Sequence, residues 1–241
     1  LEQEILAAIR QTYRAPKGGL TVNTQTAHIL SLFLGLMPES DTPILKAALD
    51  RLFENARNEL RTGFVGTAYL CSVLTQAGFN HLAYTLFLNE NYPGWLYEVN
   101  MGATTVWERW NSLLPDGKLS DISMNSLNHY AYGSIVEWMY RWVCGLNPDE
   151  TAPGFARAVL TPRPGKGLDF ARTRVRTASG VYESGWKRQD DGSIRYDFRV
   201  PFNCEARLEL PAGLSAQVDG KEISGPMTLG PGFHTAVSKE A

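Results

Sequence analysis

Apolar residues recur at helical spacing through roughly the first 150 positions, and at every second position through much of the remaining chain. Leu1 to Tyr13 carries Ile5, Leu6, Ile9 and Tyr13 on one stripe and stops at Pro16 and Gly18-Gly19. Thr24 to Leu36 reads as a second apolar helix, closed by Gly35 and Pro38. Asp41 is placed to cap a third, with Pro43 in its first turn and Ile44, Ala48, Leu52 and Phe53 along its apolar face. Gly66 to Ala77, His81 to Asn89 and Ser126 to Cys144 predict three more, with Gly78 and Gly145 at helix-ending positions. The acidic residues Glu39, Asp41, Asp50, Glu54 and Glu59 fall on amphipathic helices or their caps and are expected to be solvated. Such a series in paired antiparallel order predicts part of an α/α toroid. A complete (α/α)6 barrel needs about twice as many helices, so an N-terminal half of the same polypeptide is expected to be missing.

After Pro148 the pattern changes. Pro153, Pro162, Pro164, Gly165 and Gly167 mark a linker-like crossing. Alternating runs come next, at Arg172 to Ala178, Val181 to Gln189, Ser193 to Val200, Cys204 to Leu210, Ala216 to Val218 and Phe233 to Ser238. Their turns contain Ser-Gly, Asp-Asp-Gly, Pro-Ala-Gly, Asp-Gly and Gly-Pro-Gly, which predicts an antiparallel β-sandwich. The expected division is therefore residues 1–150, helical, and residues 151–241, all-β. Arg172, Arg174 and Arg176 share one strand face and read as solvated.

Composition narrows the partners. An apolar fraction of 44%, a charged fraction of 20% and a net charge of −2 describe an ordinary globular chain. No basic patch or basic run offers itself to nucleic acid or to an acidic membrane surface. Cys71, Cys144 and Cys204 are few, odd in number and far apart, and read as reduced thiols. No signal peptide or membrane span is visible, so the expectation is a cytoplasmic bacterial protein. The chain opens inside a helical pattern, as if cut from something longer, and an export signal would have gone with the missing part.

Candidate chemistry gathers in one window. Five of the six tryptophans, Trp95, Trp107, Trp110, Trp138 and Trp142, lie between positions 95 and 142. Glu108 stands between Trp107 and Trp110 in the run Gly-Ala-Thr-Thr-Val-Trp-Glu-Arg-Trp, after a glycine-led loop. Indole faces stack on the apolar face of a pyranose, and a partly desolvated carboxylate takes a proton at neutral pH. Asn125, Asn128 and His129 add groups that grip hydroxyls. On composition alone, a surface Glu beside core tryptophans is the competing reading. Trp138 and Trp142 recur at helical spacing with Val136 and Met139 and read as packing.

The runs Gly102 to Trp110 and Ser123 to Leu146, with Thr62 to Leu70 and Tyr92 to Tyr97 upstream, resemble bacterial α-L-rhamnosidases of glycoside hydrolase family 78. The four motifs occur in that family's order. The resemblance implies an inverting hydrolysis of terminal α-L-rhamnose, with Glu108 as general base. It implies a sugar-binding role for His129, which comes after Glu108 at the family's spacing, and places Trp95 and Trp107 against the substrate. No cofactor or metal is implied. The family's general acid sits in an acidic cluster earlier in the barrel, and nothing in residues 1–90 reproduces that cluster. Were an acid present in this chain, Glu98 and Asp116 would be the first suspects. Two readings compete with a rhamnosidase fragment: part of another toroidal glycosidase, and a non-catalytic carbohydrate-binding or scaffold fragment.

Overall fold

Two helices of the first unit end at left-handed glycines that the sequence supplies, Gly35 and Gly78. In a computed structural model, which describes residues 1–120, 123–211 and 214–239, contacts divide the chain into Leu1–Ile135 and Val136–Ala241. The first unit contains α1 (Glu2–Tyr13), α2 (Gln25–Leu34), α3 (Thr42–Asn55), α4 (Phe64–Ala77), α5 (Asn80–Phe87) and α6 (Trp95–Asn100). The hydroxyl of Thr24 accepts the amide of Ala27 at 3.2 Å and caps α2. Gly35, at φ 61°, closes it. Packing runs α2 on α3, α2 on α4 and α4 on α5, through Ile29, Leu45, Leu49, Phe53, Leu70, Leu74 and Leu86.

Two helical expectations are corrected. Asp41 does not cap α3 with its side chain and is not solvated. Its carboxylate is buried, accepting Arg14 Nε at 2.7 Å, Arg14 Nη2 at 2.9 Å and the amide of Gly19 at 2.9 Å. Ser126 to Cys144 is not one helix. It comprises an irregular stretch, a 3-10 turn at Ala131–Ser134, a single turn α7 (Ile135–Trp138) and a π-turn at Met139–Val143. Side chains there compete with helical bonding: Ser126 Oγ accepts the amide of Asn128 at 3.1 Å, and His129 Nδ1 accepts the amide of Ala131 at 3.2 Å.

The second unit holds two sheets. One has the order β3 (Phe170–Thr177), β4 (Gly180–Arg188), β5 (Ser193–Val200), β10 (Gly232–Lys239), β7 (Ala216–Val218), β8 (Lys221–Ile223), antiparallel throughout. The other has the order β1 (Leu146–Pro148), β2 (Arg157–Leu160), β6 (Glu205–Leu208), β9 (Met227–Leu229). Here β2 and β6 run parallel, a departure from the all-antiparallel expectation. Alternation puts Ile194, Tyr196, Phe198 and Val200 of β5 inside while Arg195 and Asp197 face water. The Arg172 and Arg174 face is organised around Glu183, which pairs with both and with Arg199 at 3.4 Å.

The contact division falls earlier than the composition shift near residue 150 because the π-turn at Met139–Val143 and the residues after it already contact the strands. Trp186 Nε1 donates to the carbonyl of Val143 at 2.8 Å and Ser184 Oγ to that of Cys144 at 2.5 Å. All three cysteines are free and buried. Among the described residues no helix is long and apolar enough to cross a membrane.

Candidate active site

The site residues come from one folded-back stretch of the first unit. Asn89 organises its entry, its amide donating to the carbonyls of Asn91 at 2.8 Å and Pro93 at 3.0 Å. Gly94 passes so close that a Cβ there would stand 2.8 Å from the carbonyl of Asn89. α6 then ends in paired reverse bonds, Gly102 N to Val99 O at 2.9 Å and Ala103 N to Glu98 O at 3.0 Å, with Gly102 left-handed at φ 83°. This turn sends residues 103–110 back across α6.

A second segment grips that loop. The amide of Glu108 donates to the carbonyl of Ser126 at 2.9 Å, and the amide of Ser126 donates to Glu108 Oε2 at 2.8 Å. The amide of His129 donates to the carbonyl of Val106 at 2.8 Å, and Thr105 Oγ1 donates to the carbonyl of Leu127. Four bonds thus join residues 105–108 to residues 126–129, bringing Glu108 and His129 into one unit. The Glu108 carboxylate is half-buried and anchored by one oxygen; Oε1 accepts no hydrogen bond from the described residues.

His129 has a defined tautomer. A backbone amide only donates, so the bond from Ala131 N makes Nδ1 the acceptor and leaves the proton of the neutral ring on Nε2. The half-buried imidazole stacks on Phe64 at 4.9 Å and on exposed Tyr130 at 5.0 Å. Phe64 begins α4 and meets Tyr132 edge-on at 5.2 Å.

The indoles lie deeper. Trp95 is buried, with Nε1 donating to the carbonyl of Tyr132 at 2.9 Å and its ring edge-on to Trp110 at 5.0 Å. Trp110 stacks on Tyr132 with centroids 3.7 Å apart. Trp107 is 2% exposed, and its amide donates to Glu98 Oε2 at 3.2 Å. Trp95 and Trp107 are therefore both buried, while Glu108 and His129 remain partly accessible.

Sequence reasoning left Glu98 in reserve, and the structure makes it prominent. It is 4% exposed, and its second oxygen, Oε1, is buried without a hydrogen-bond partner. Burial pushes its pKa up to about 7, against a smaller downward pull from the Trp107 amide. Asp116 is its opposite: exposed, paired with Lys118 at 3.0 Å and held below the usual carboxylate range by that neighbour. Glu98 carries no local signal beyond its place in Trp-Leu-Tyr-Glu-Val, because its burial comes from the returning loop. Among the described residues no three His, Cys, Asp or Glu side chains gather as a metal site.

The bacterial α-L-rhamnosidase six-hairpin glycosidase domain model matches residues 1–143, and the bacterial α-L-rhamnosidase C-terminal domain model matches residues 145–224. The chain belongs to the bacterial α-L-rhamnosidase family. It is 42% identical over 192 residues to an α-L-rhamnosidase of Alteromonas sp. strain LOR, covering 80% of this chain and 20% of that one. An α-L-rhamnosidase of Streptomyces avermitilis is 38% identical over 211 residues, again 20% of its length. The crystal structure of a Streptomyces avermitilis α-L-rhamnosidase complexed with L-rhamnose superposes with a TM-score of 0.88 at 33% identity, over 98% of this chain and 24% of that one. A native Aspergillus terreus α-L-rhamnosidase gives a TM-score of 0.83 at 29% identity over 96% of this chain and 26% of that one. The chain thus spans about a fifth of the length of the curated relatives it matches.

Proposed function

We propose that these 241 residues form the C-terminal portion of an inverting glycoside hydrolase that removes terminal α-L-rhamnose, with Glu108 as general base. The observation that carries this reading is the anchoring of Glu108. One carboxylate oxygen is held by the amide of Ser126, and the other remains to receive a proton. In the proposed step a water oxygen bonds to the anomeric carbon and gives its proton to Glu108, while the bond from that carbon to the aglycone oxygen breaks. A carboxylic acid from the N-terminal part of the same polypeptide protonates the departing oxygen. His129, its Nε2 proton directed by the bond at Nδ1, donates to a sugar hydroxyl. Trp95 and Trp107 form rigid walls beside the substrate, a role their burial supports. Rhamnose as the sugar is supported by the L-rhamnose complex of the Streptomyces relative.

The test is turnover of an aryl α-L-rhamnoside by the full-length polypeptide, wild type against Glu108→Gln, with the anomer of the first product followed by NMR. The expected result is inverted product from the wild type, and a loss of on the order of a thousandfold or more in the variant. Retained turnover in Glu108→Gln, or product with retained configuration, would overturn the assignment.

A further inference from the structure

We infer that Glu98 is a positioning residue for this reaction, fixing through the backbone of Trp107 the loop on which Glu108 stands. The inference rests on the reading of Glu108 as the base.

Glu98 meets the loop twice. Its carbonyl accepts the amide of Ala103 at 3.0 Å, where α6 ends, and its Oε2 accepts the amide of Trp107 at 3.2 Å, the residue before Glu108. The two bonds span one excursion of the chain, Ala103 to Trp107, whose far side is tied to residues 126–129 by the bonds from Thr105, His129 and Glu108. The carbonyl bond belongs to the helix ending and is available to any residue type. The side-chain bond is not, and without it the buried amide of Trp107 is left without this acceptor.

A carboxyl group is unusual for this task. A fold that needed only an acceptor for Trp107 would be served by an amide, while an ionised carboxylate with one oxygen unpartnered is costly to bury. The raised pKa agrees with a side chain that rests as the neutral acid, its carbonyl oxygen facing Trp107. Glutamine reproduces that acceptor with nearly the same shape. Methionine keeps the length and loses the acceptor. Glu98 is thereby separated from the general acid that inversion requires: the oxygen nearest the loop is already engaged with the backbone, and what Glu98 controls is the placement of Glu108.

The experiment compares Glu98→Gln and Glu98→Met at two levels. In the 241-residue chain, hydrogen exchange at the Trp107 amide is expected to accelerate about tenfold or more in Glu98→Met and to stay near wild type in Glu98→Gln. In the full-length polypeptide acting on an aryl α-L-rhamnoside, Glu98→Met is expected to lower kcat about 10- to 100-fold with KM within about threefold, because a small displacement of a catalytic group acts on the transition state. Glu98→Gln is expected to restore kcat to within about threefold of wild type. Wild-type kcat in Glu98→Met, unchanged exchange at Trp107 in that variant, or a kcat lowered about tenfold or more in Glu98→Gln would each overturn the inference; the last is read against wild type and holds even if Glu98→Met does not fold. Failure of the Glu108 reading is distinct: Glu108→Gln would then remain active, whereas failure of this inference alone leaves Glu108→Gln inactive.

Discussion

Glu108 and Ser126 exchange two hydrogen bonds: the Glu108 amide to the Ser126 carbonyl at 2.9 Å, and the Ser126 amide to Glu108 Oε2 at 2.8 Å. A carboxylate held in this way has its rotamer set by the backbone of a neighbouring segment. Entropy that a free glutamate side chain would lose on reaching its reactive position has already been surrendered in folding. The same segment carries His129 three residues on, so displacing either element moves both.

The side-chain half of that exchange can be tested directly. Glu108→Gln preserves an oxygen to accept from Ser126, while Glu108→Ala removes it. Hydrogen exchange at the Ser126 amide is expected to stay near wild type in Glu108→Gln and to rise about tenfold or more in Glu108→Ala. Equal exchange in the two variants would show that Oε2 does not hold Ser126 in solution.

How much of the fold and site was legible in the sequence depended on whether burial was decided locally. β5 reads as a strand from its alternation because one face, Ile194 to Val200, is buried along its whole length. α2 announced both its ends, at Thr24 and Gly35. Glu108 and His129 were found through their motif, though the paired bonds between their segments join residues 18 or more apart and leave no local trace. Ser126 to Cys144 reads as a helix only when Ser126, Asn128 and His129 are counted as helix positions rather than as competitors for backbone bonds. The parallel pairing of β2 with β6 joins strands far apart in the chain, and no alternation within either strand specifies its partner. Asp41 looks like a helix cap until Arg14 and Gly19 arrive from another part of the fold.

Glu98 makes stability depend on pH in a stated direction. Its folded pKa, about 7, lies above its ordinary value of 4.5, so between these values the native chain holds a proton that the unfolded chain has released. Stability from this group is full below about pH 4.5 and declines as pH rises to about 7, by at most about 3 kcal/mol. Tyr132, the titratable neighbour that responds to its charge, is pushed up to about 12 and does not titrate in this window. Glu98→Gln is expected to melt above wild type at pH 8, with the difference shrinking toward pH 4.5. Parallel melting curves across that range would contradict it.

Asp41 acts in the opposite sense. Arg14 and the Gly19 amide hold its carboxylate at about 2, below the ordinary 3.8, so its contribution is present above pH 3.8 and is lost as pH falls toward 2. That contribution is about 2 kcal/mol. Asp41→Ala also leaves Arg14 and a buried amide without their acceptor, and is expected to cost about 3 kcal/mol by urea denaturation at pH 7. A cost below about 1 kcal/mol would mean that the pair is solvated in solution.

Gly145 tests the junction within the second unit. It is left-handed at φ 73°, and a Cβ there would stand 2.0 Å from the nitrogen of Pro162 and 2.3 Å from its Cα. Both partners are backbone, so no side chain can swing aside. Gly145→Ala is expected to destabilise the second unit by about 3 kcal/mol or more, read as a lowered Tm. An unchanged Tm would place the crossing of these two segments elsewhere.

The final prediction concerns catalysis by the 241 residues alone: they should not hydrolyse an aryl α-L-rhamnoside at a rate approaching that of the full-length polypeptide. Inversion requires two carboxyl groups held across one sugar, one giving a proton and one taking it. In the proposed mechanism Glu108 is the base, and neither internal candidate suits the acid. Asp116 is exposed and kept ionised by Lys118, so it does not hold a proton near neutrality. Glu98, its pKa raised to about 7, is partly protonated there, but it lies buried with Oε2 engaged by Trp107. The first unit also exposes Ile5, Tyr13, Val22, Phe33 and Leu34, apolar surface that favours self-association. An assay of the purified chain, alone and with the N-terminal part of the polypeptide added in trans, decides the matter. Activity only on addition is the expected result. Robust activity from the chain alone would place an acid within these residues and make Glu98 the first to be replaced.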